Sequence, residues 1–214
     1  MTRESNITPQ RQFDRAYFDR WYRHPACRVK SSAELEREVE FVLGATEYLL
    51  GRPVRSVLDV GCGEGNWYPP LTARRPRLHY TGVDPSEYAV RRWGKRRNIR
   101  LGSVDNLGVD GQFDLVVCCG VLNYLAADTL TTGLAQIAER LGGVAYLDMY
   151  TASDAVTGDT RGAKRRASSW YRERLHRAGL TACGLHLYVG PAMADQLATL
   201  ERFPRQRRRR STPG

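Results

Sequence analysis

A carboxylate two residues ahead of alternating glycines, with a second carboxylate about 20 residues beyond them, is the part of this sequence best suited to handling a ligand. The stretch is Val57-Leu58-Asp59-Val60-Gly61-Cys62-Gly63-Glu64-Gly65, followed by Asn66, and the second acid is Asp84 at the end of Tyr80-Thr81-Gly82-Val83-Asp84. Short, apolar and β-branched, the first segment reads as a buried parallel strand running into a turn and then a helix. Glycines let the turn take positive φ and approach a ligand without an intervening Cβ. The free N–H groups of the following helix start form a polar cradle. In an open α/β sheet the downstream acid meets ribose hydroxyls, so an adenosine-containing ligand suits the pair. A dinucleotide fingerprint, G-x-G-x-x-G, would need glycine where Asn66 stands, and a pyrophosphate gains nothing from Asp59.

The combination hh-D-h-G-x-G-x-G with Asp84 beyond it resembles the nucleotide-binding motif of the class I S-adenosylmethionine-dependent methyltransferases. That resemblance implies an α/β fold, a Rossmann-like doubly wound, mostly parallel sheet of six or seven strands with helices on both faces and an N-terminal helical lid. It also implies S-adenosylmethionine as cofactor and S-adenosylhomocysteine as product. By the resemblance, Asp59 helps hold the methionine ammonium, Gly61, Cys62 and Gly63 pass under the cofactor, and Asp84 with Pro85 takes the ribose. The acid that usually meets adenine falls on Ser103, so that contact moves to Asp105, with Val104 for the backbone part. The run Phe113-Asp114-Leu115-Val116-Val117-Cys118-Cys119 resembles the family's fourth strand, whose end lines the site at Cys119. Asn123 stands where a histidine is common, which removes any role built on that histidine. No [DN]-P-P-[YFW] follows Cys119, and Cys118-Cys119 lacks a Pro-Cys or Thr-Cys setting. These absences argue against amino-methylation of adenine or glutamine and against pyrimidine C5 methylation.

Other elements must position this site. Aromatics at Phe13, Tyr17, Phe18, Trp21 and Tyr22 share one broad helical face, either packing on the core or closing over cofactor and substrate. Pro25 ends that helix, and Ser31 with Glu34 signals the start of another running to about Leu50, with Leu35, Val39, Val42, Leu43 and Leu49 inward. Strands are expected near 56–60, 80–83, 99–101, 113–119 and 144–149, with helices near 67–73, 86–97, 128–141 and 168–178. The resemblance implies two antiparallel strands at the end of the sheet, but only 180–189 is a clear candidate, so either the last strand is absent or this run is split. A last helix, from Ala192 to about Glu201, precedes the tail. Arg91, Arg92, Lys95, Arg96 and Arg97 lie on or just past the far end of the fourth helix, where cations suit the helix dipole.

The length of 214 residues suits one α/β domain. The organisation expected is a helical extension or lid over 1–50, the cofactor-binding domain over 51–201 and an Arg-rich flexible tail over 202–214. No run of 18 apolar residues and no signal-peptide core appear, so a cytoplasmic protein without a membrane is expected. Five cysteines without a C-x-x-C suit reduced thiols and no metal. Six arginines, at 202, 205 and 207–210, carry most of the +10 net charge and leave about +4 elsewhere. Only three of the 33 basic residues are lysine, consistent with coding bias, so the charge is weak evidence for nucleic acid.

Methyl transfer from a sulfonium needs alignment first. A base matters only where the acceptor must lose a proton. Candidates are Asp148 at the end of the fifth strand, His24, Tyr22, Tyr17 and Tyr150, each with a plain alternative as cap, turn or packing residue. The expected activity is methylation of an oxygen or nitrogen of a small molecule, a metabolic or natural-product acceptor. The alternatives are an RNA or protein methyltransferase using the basic tail, and a non-catalytic cofactor-binding module.

Overall fold

The computed structural model describes residues 13–156 and 159–198. Seven strands form one sheet in the order β3-β2-β1-β4-β5-β7-β6: β1 (Ser56–Val60), β2 (His79–Asp84), β3 (Ile99–Leu101), β4 (Phe113–Cys119), β5 (Leu141–Asp148), β6 (Thr181–Gly184) and β7 (Leu187–Val189). The pairings from β3 through β5 are parallel, and β7 runs antiparallel to both β5 and β6. This is the doubly wound sheet expected from the glycine turn. Its order reverses between β1 and β4, and such a switch point leaves a crevice at the carboxyl ends of the strands.

The alternation of side chains along each strand divides the core in two. Leu58, Val60, Val116, Cys118, Ala145 and Leu147 join α5 (Ala127–Glu139) and α6 (Ser168–Arg177) on one face. Val57, Leu115, Val117, Val144 and Tyr146 join α2 (Ser32–Leu50) and α3 (Tyr68–Arg74) on the other. In α2, Val39, Val42 and Leu43 are fully enclosed, and each such side chain stabilises the fold by roughly 1.5–3 kcal/mol relative to exposure. Its start is a capping box, in which the Ser31 hydroxyl accepts from Glu34 N–H while the Glu34 carboxylate accepts from Ser31 N–H.

Before α2 the chain makes one helical turn, α1 (Arg15–Phe18), and widens into a π-helical turn over Asp19–Arg23. Phe18 is buried and packs against Tyr17, Tyr22 and Tyr88. The segment is tied to α4 (Glu87–Arg97) where the Ser86 hydroxyl donates to the Phe13 carbonyl at 2.5 Å.

The 180–189 run is split into a hairpin, the second of the two alternatives the sequence left open. Leu185 and His186 turn it with φ of 50° and 63°, the conformation of a tight primed turn. Such turns favour Asn-Gly or Asp-Gly, so Leu-His carries no turn signal. A short α7 (Pro191–Ala194) follows, and 195–198 turn away instead of continuing the helix expected from Ala192, while 199–201 and the 202–214 tail lie outside the described residues. No described helix is long and apolar enough to cross a membrane.

Candidate active site

The crevice at the β1–β4 switch opens into a cavity of about 570 Å³. The turn after β1 forms one end of it, where Gly61 and Gly63 take φ of 68° and 57°. These angles strain any residue with a Cβ. A Cβ on Gly63 would also stand 2.5 Å from the Tyr22 hydroxyl. The aromatic N-terminal segment therefore lies directly over the glycine turn.

Two arginines clamp this turn. Arg23 holds the buried Glu64 carboxylate with contacts of 2.6 and 2.5 Å. Arg97, stacked 4.0 Å over the Trp93 ring, donates to the Glu64 carbonyl at 2.7 Å and the Gly65 carbonyl at 3.2 Å. The dipole-favoured basic end of α4 thus includes a side chain that braces the turn. Neither partnership has a local sequence signal, because the residues lie 41 and 33 positions apart.

Asp84 ends β2 as a 6% exposed carboxylate. Its oxygens accept from Gly63 N–H at 2.6 Å and Ser86 N–H at 2.8 Å, so it fastens the glycine turn to the start of α4. Burial raises its pKa above the usual carboxylate value, opposed by these two bonds. Asp59, 3% exposed, accepts from the Tyr80 hydroxyl at 2.7 Å through one oxygen and lines the cavity. Burial pushes its carboxyl up to about 7, with the Tyr80 bond opposing and Asp84 adding.

A carboxyl raised in this way favours the folded state below its unfolded value near 3.9, and that contribution is lost as pH rises through about 7. Asp59→Asn, which keeps an oxygen for Tyr80, is accordingly expected to raise the melting temperature of the ligand-free protein above pH 7 by a few degrees. The gain should vanish near pH 4, as differential scanning fluorimetry across pH would record.

The remaining residues of the expected donor set are distributed unevenly. Gly61, Cys62, Cys119 and Tyr17 line the cavity with Asp59, whereas Gly63, Asp84, Pro85, Val104 and Asp105 are outside its lining. Val104 is buried in the α5 core, and the exposed Asp105 accepts from the Ser103 hydroxyl at 2.6 Å. The family's usual adenine position and its shifted acid are therefore joined by a hydrogen bond.

At the other end of the cavity, Asp148 closes β5 beside Cys119 of β4. It is 6% exposed, one oxygen accepts from Gly120 N–H at 2.5 Å, and burial above all pushes its carboxyl up to about 7. Asn123 braces the neighbouring Tyr150 from both sides, donating to its carbonyl at 2.6 Å and accepting from its N–H at 3.0 Å. The asparagine in the histidine position thus holds the end of β5. Tyr22 also lines the cavity, and its phenol is raised well above 10, first by burial and then by Tyr17 and Asp84. His24 is exposed at the end of the π turn and does not line the cavity.

The structure adds residues the sequence reading passed over. The Lys30 ammonium grips Glu38 at 2.5 and 2.7 Å, and Glu38 also accepts from the Tyr146 hydroxyl at 2.7 Å. Lys30 and Glu38 both line the cavity. One signal was present: Glu38 lies between Leu35 and Val42 on the apolar stripe of α2, where a carboxylate calls for a partner. Asp114, from the Phe-Asp pair, sits at the far, amino-terminal end of β4. There it accepts from the Arg52 guanidinium at 2.9 and 2.8 Å and from Arg55 N–H at 2.7 Å.

Residues 58–143 match a family model described as a methyltransferase domain. No curated protein matches the chain. The structure is similar to the sugar N-methyltransferase KedS8 from Streptoalloteichus sp. ATCC 53650, with a TM-score of 0.62 and 19% identity over 84% of this chain and 90% of that one. It is also similar to the SAM-bound amino pentose methyltransferase CalS10 from Micromonospora echinaspora, involved in calicheamicin biosynthesis, at a TM-score of 0.55 and 17% identity over 74% and 90%. Magnesium protoporphyrin IX methyltransferase from Synechocystis PCC 6803 with bound SAH gives 0.54 and 19% over 78% and 86%. At these identities the likeness is one of fold.

Proposed function

We propose, from the match of residues 58–143 to a methyltransferase-domain model and the class I methyltransferase fold, that the chain moves a methyl group from S-adenosylmethionine to an oxygen or nitrogen of a small molecule. One observation carries this reading. The glycine turn with Asp59 and the end of β5 with Asp148 face the same cavity, under a roof of N-terminal aromatics.

The residues present fit the cofactor. Asp59 keeps one oxygen free of protein hydrogen bonds among the described residues and lines the cavity, which suits an ammonium. Gly61 and Gly63 leave the backbone bare where a ligand would pass, and Asp84 stands at the strand end where ribose hydroxyls are taken. Gly61, Cys62, Gly63, Asp59 and Asp84 would hold the donor with Pro85, Val104, Asp105, Tyr17 and Cys119. The bound cofactor supplies an electrophilic methyl on a sulfonium.

The protein's share is mainly proximity and alignment, which in favourable geometry lower the barrier by roughly 7–11 kcal/mol. In this reading Asp148, at the end of β5 and lining the cavity, would take a proton from the acceptor, and Tyr22 would close the donor end. A chamber walled by Trp21, Trp67, Tyr124 and Tyr150 suits a small acceptor better than a polymer lying across a surface. The similar structures act on an amino pentose, a sugar and magnesium protoporphyrin IX, in keeping with that size class.

Calorimetry with S-adenosylhomocysteine, followed by incubation of a small-molecule extract with labelled donor, tests the proposal. Binding with label entering a compound of low molecular mass is the expected result. Absence of binding, or label entering only RNA or protein, would overturn it.

A further inference from the structure

Asp148 is more than nine-tenths buried, lines the cavity, and has only Gly120 N–H on one oxygen among the described residues. Its other oxygen has no protein donor there and is not sealed from the cavity. The groups around it are committed elsewhere. Lys30, from the loop before α2, is gripped by Glu38 of α2, which also accepts from Tyr146 of β5. Cys119 of β4 has its thiol raised well above its usual range by burial, and Tyr150 of β5 is raised by burial as well, so both remain neutral.

No histidine lines the cavity: His24 is exposed, and the His186 ring meets Tyr146 at 6.3 Å and Tyr150 at 5.9 Å without entering the lining. Aromatic rings form much of the wall, from Tyr17, Trp21 and Tyr22 on the N-terminal side to Trp67, Tyr124 and Tyr150. With Asp59 at the glycine-turn end and Glu38 held by Lys30 and Tyr146, the open oxygen of buried Asp148 faces the aromatic chamber and is arranged to receive a cation.

Resting on the methyltransferase reading above, we infer that the acceptor is a small amine whose nitrogen is received by the open oxygen of Asp148 between the aromatic walls. A hydroxyl acceptor fits less well. A water-like hydroxyl holds its proton far too tightly for a carboxylate to take, whereas an alkylammonium, at about 10, lies within a few units of the Asp148 carboxyl at about 7. The bound ammonium first gives one proton to Asp148, which passes it to solvent. The lone pair so freed forms the N–C bond as the C–S bond breaks with its electrons staying on sulfur, and the product leaves as the methylated ammonium.

The test is a binding comparison on the full chain saturated with S-adenosylhomocysteine, at pH 8, where Asp148 is ionised and simple alkylamines are protonated. Benzylamine is matched against benzyl alcohol, and cyclohexylamine against cyclohexanol, by calorimetry. Each amine should bind at least tenfold more tightly than its alcohol, and the advantage should shrink as pH falls below 7. Asp148→Asn retains an oxygen for Gly120 N–H and should bring each pair within about twofold. Equal or tighter alcohol binding, no saturable amine binding, or an amine preference that survives Asp148→Asn would each overturn the inference. Failure of S-adenosylhomocysteine to bind is the separate result that removes the methyltransferase reading beneath it.

Discussion

Asp84→Ala should weaken S-adenosylhomocysteine binding at least about 100-fold, equivalent to about 2.7 kcal/mol, and also lower the stability of the ligand-free protein. Both effects follow from the two bonds Asp84 accepts. Without the carboxylate, Gly63 N–H and Ser86 N–H lose their buried partner, at about 1–3 kcal/mol for each unsatisfied donor. The glycine turn then loses its tie to the start of α4, so the cradle loosens before any direct ribose contact is considered. Asp84→Asn should fall between, since one amide oxygen can still accept from one N–H. Calorimetric titration and thermal melts of the three proteins would separate the two effects. Unchanged affinity in Asp84→Ala would refute both the tie and the ribose assignment.

The second large effect is on stability and lies away from the cavity. Gly143→Ala in β5 should destabilise the protein by about 3 kcal/mol or more and sharply reduce the yield of folded chain. A Cβ at residue 143 would overlap the Asp114 carbonyl oxygen of β4, where the β4–β5 register shifts between Phe113 and Leu115. Backbone in the middle of a sheet cannot swing aside as a side chain can. Gly142→Ala, one residue earlier, would stand 3.3 Å from its nearest neighbours and should cost far less. Urea unfolding of both variants measures the contrast, and equal midpoints would show that β4 can shift to make room.

How much was legible depended on the range of the forces involved. The Ser31–Glu34 capping box spans three residues, and the apolar stripe of α2 repeats within one helix, so both stood out in the sequence. The Leu185-His186 hairpin was hidden because neither residue is a usual choice for positive φ. Neighbouring strands hold those residues in a conformation that local preference opposes.

The same distinction runs through the site. The sequence by itself determined the glycine-turn end of the cavity: Asp59, the glycines and Asp84 come from one strand, one turn and the next strand, whose backbone conformation follows from residue type. Only the tertiary structure decided the end at β5. Lys30, Glu38, Tyr146 and Asp148 come from segments more than 100 residues apart, and they meet because α2 packs across β4 and β5. Sheet order and helix packing set those meetings through nonlocal burial, a constraint that no short stretch of sequence contains.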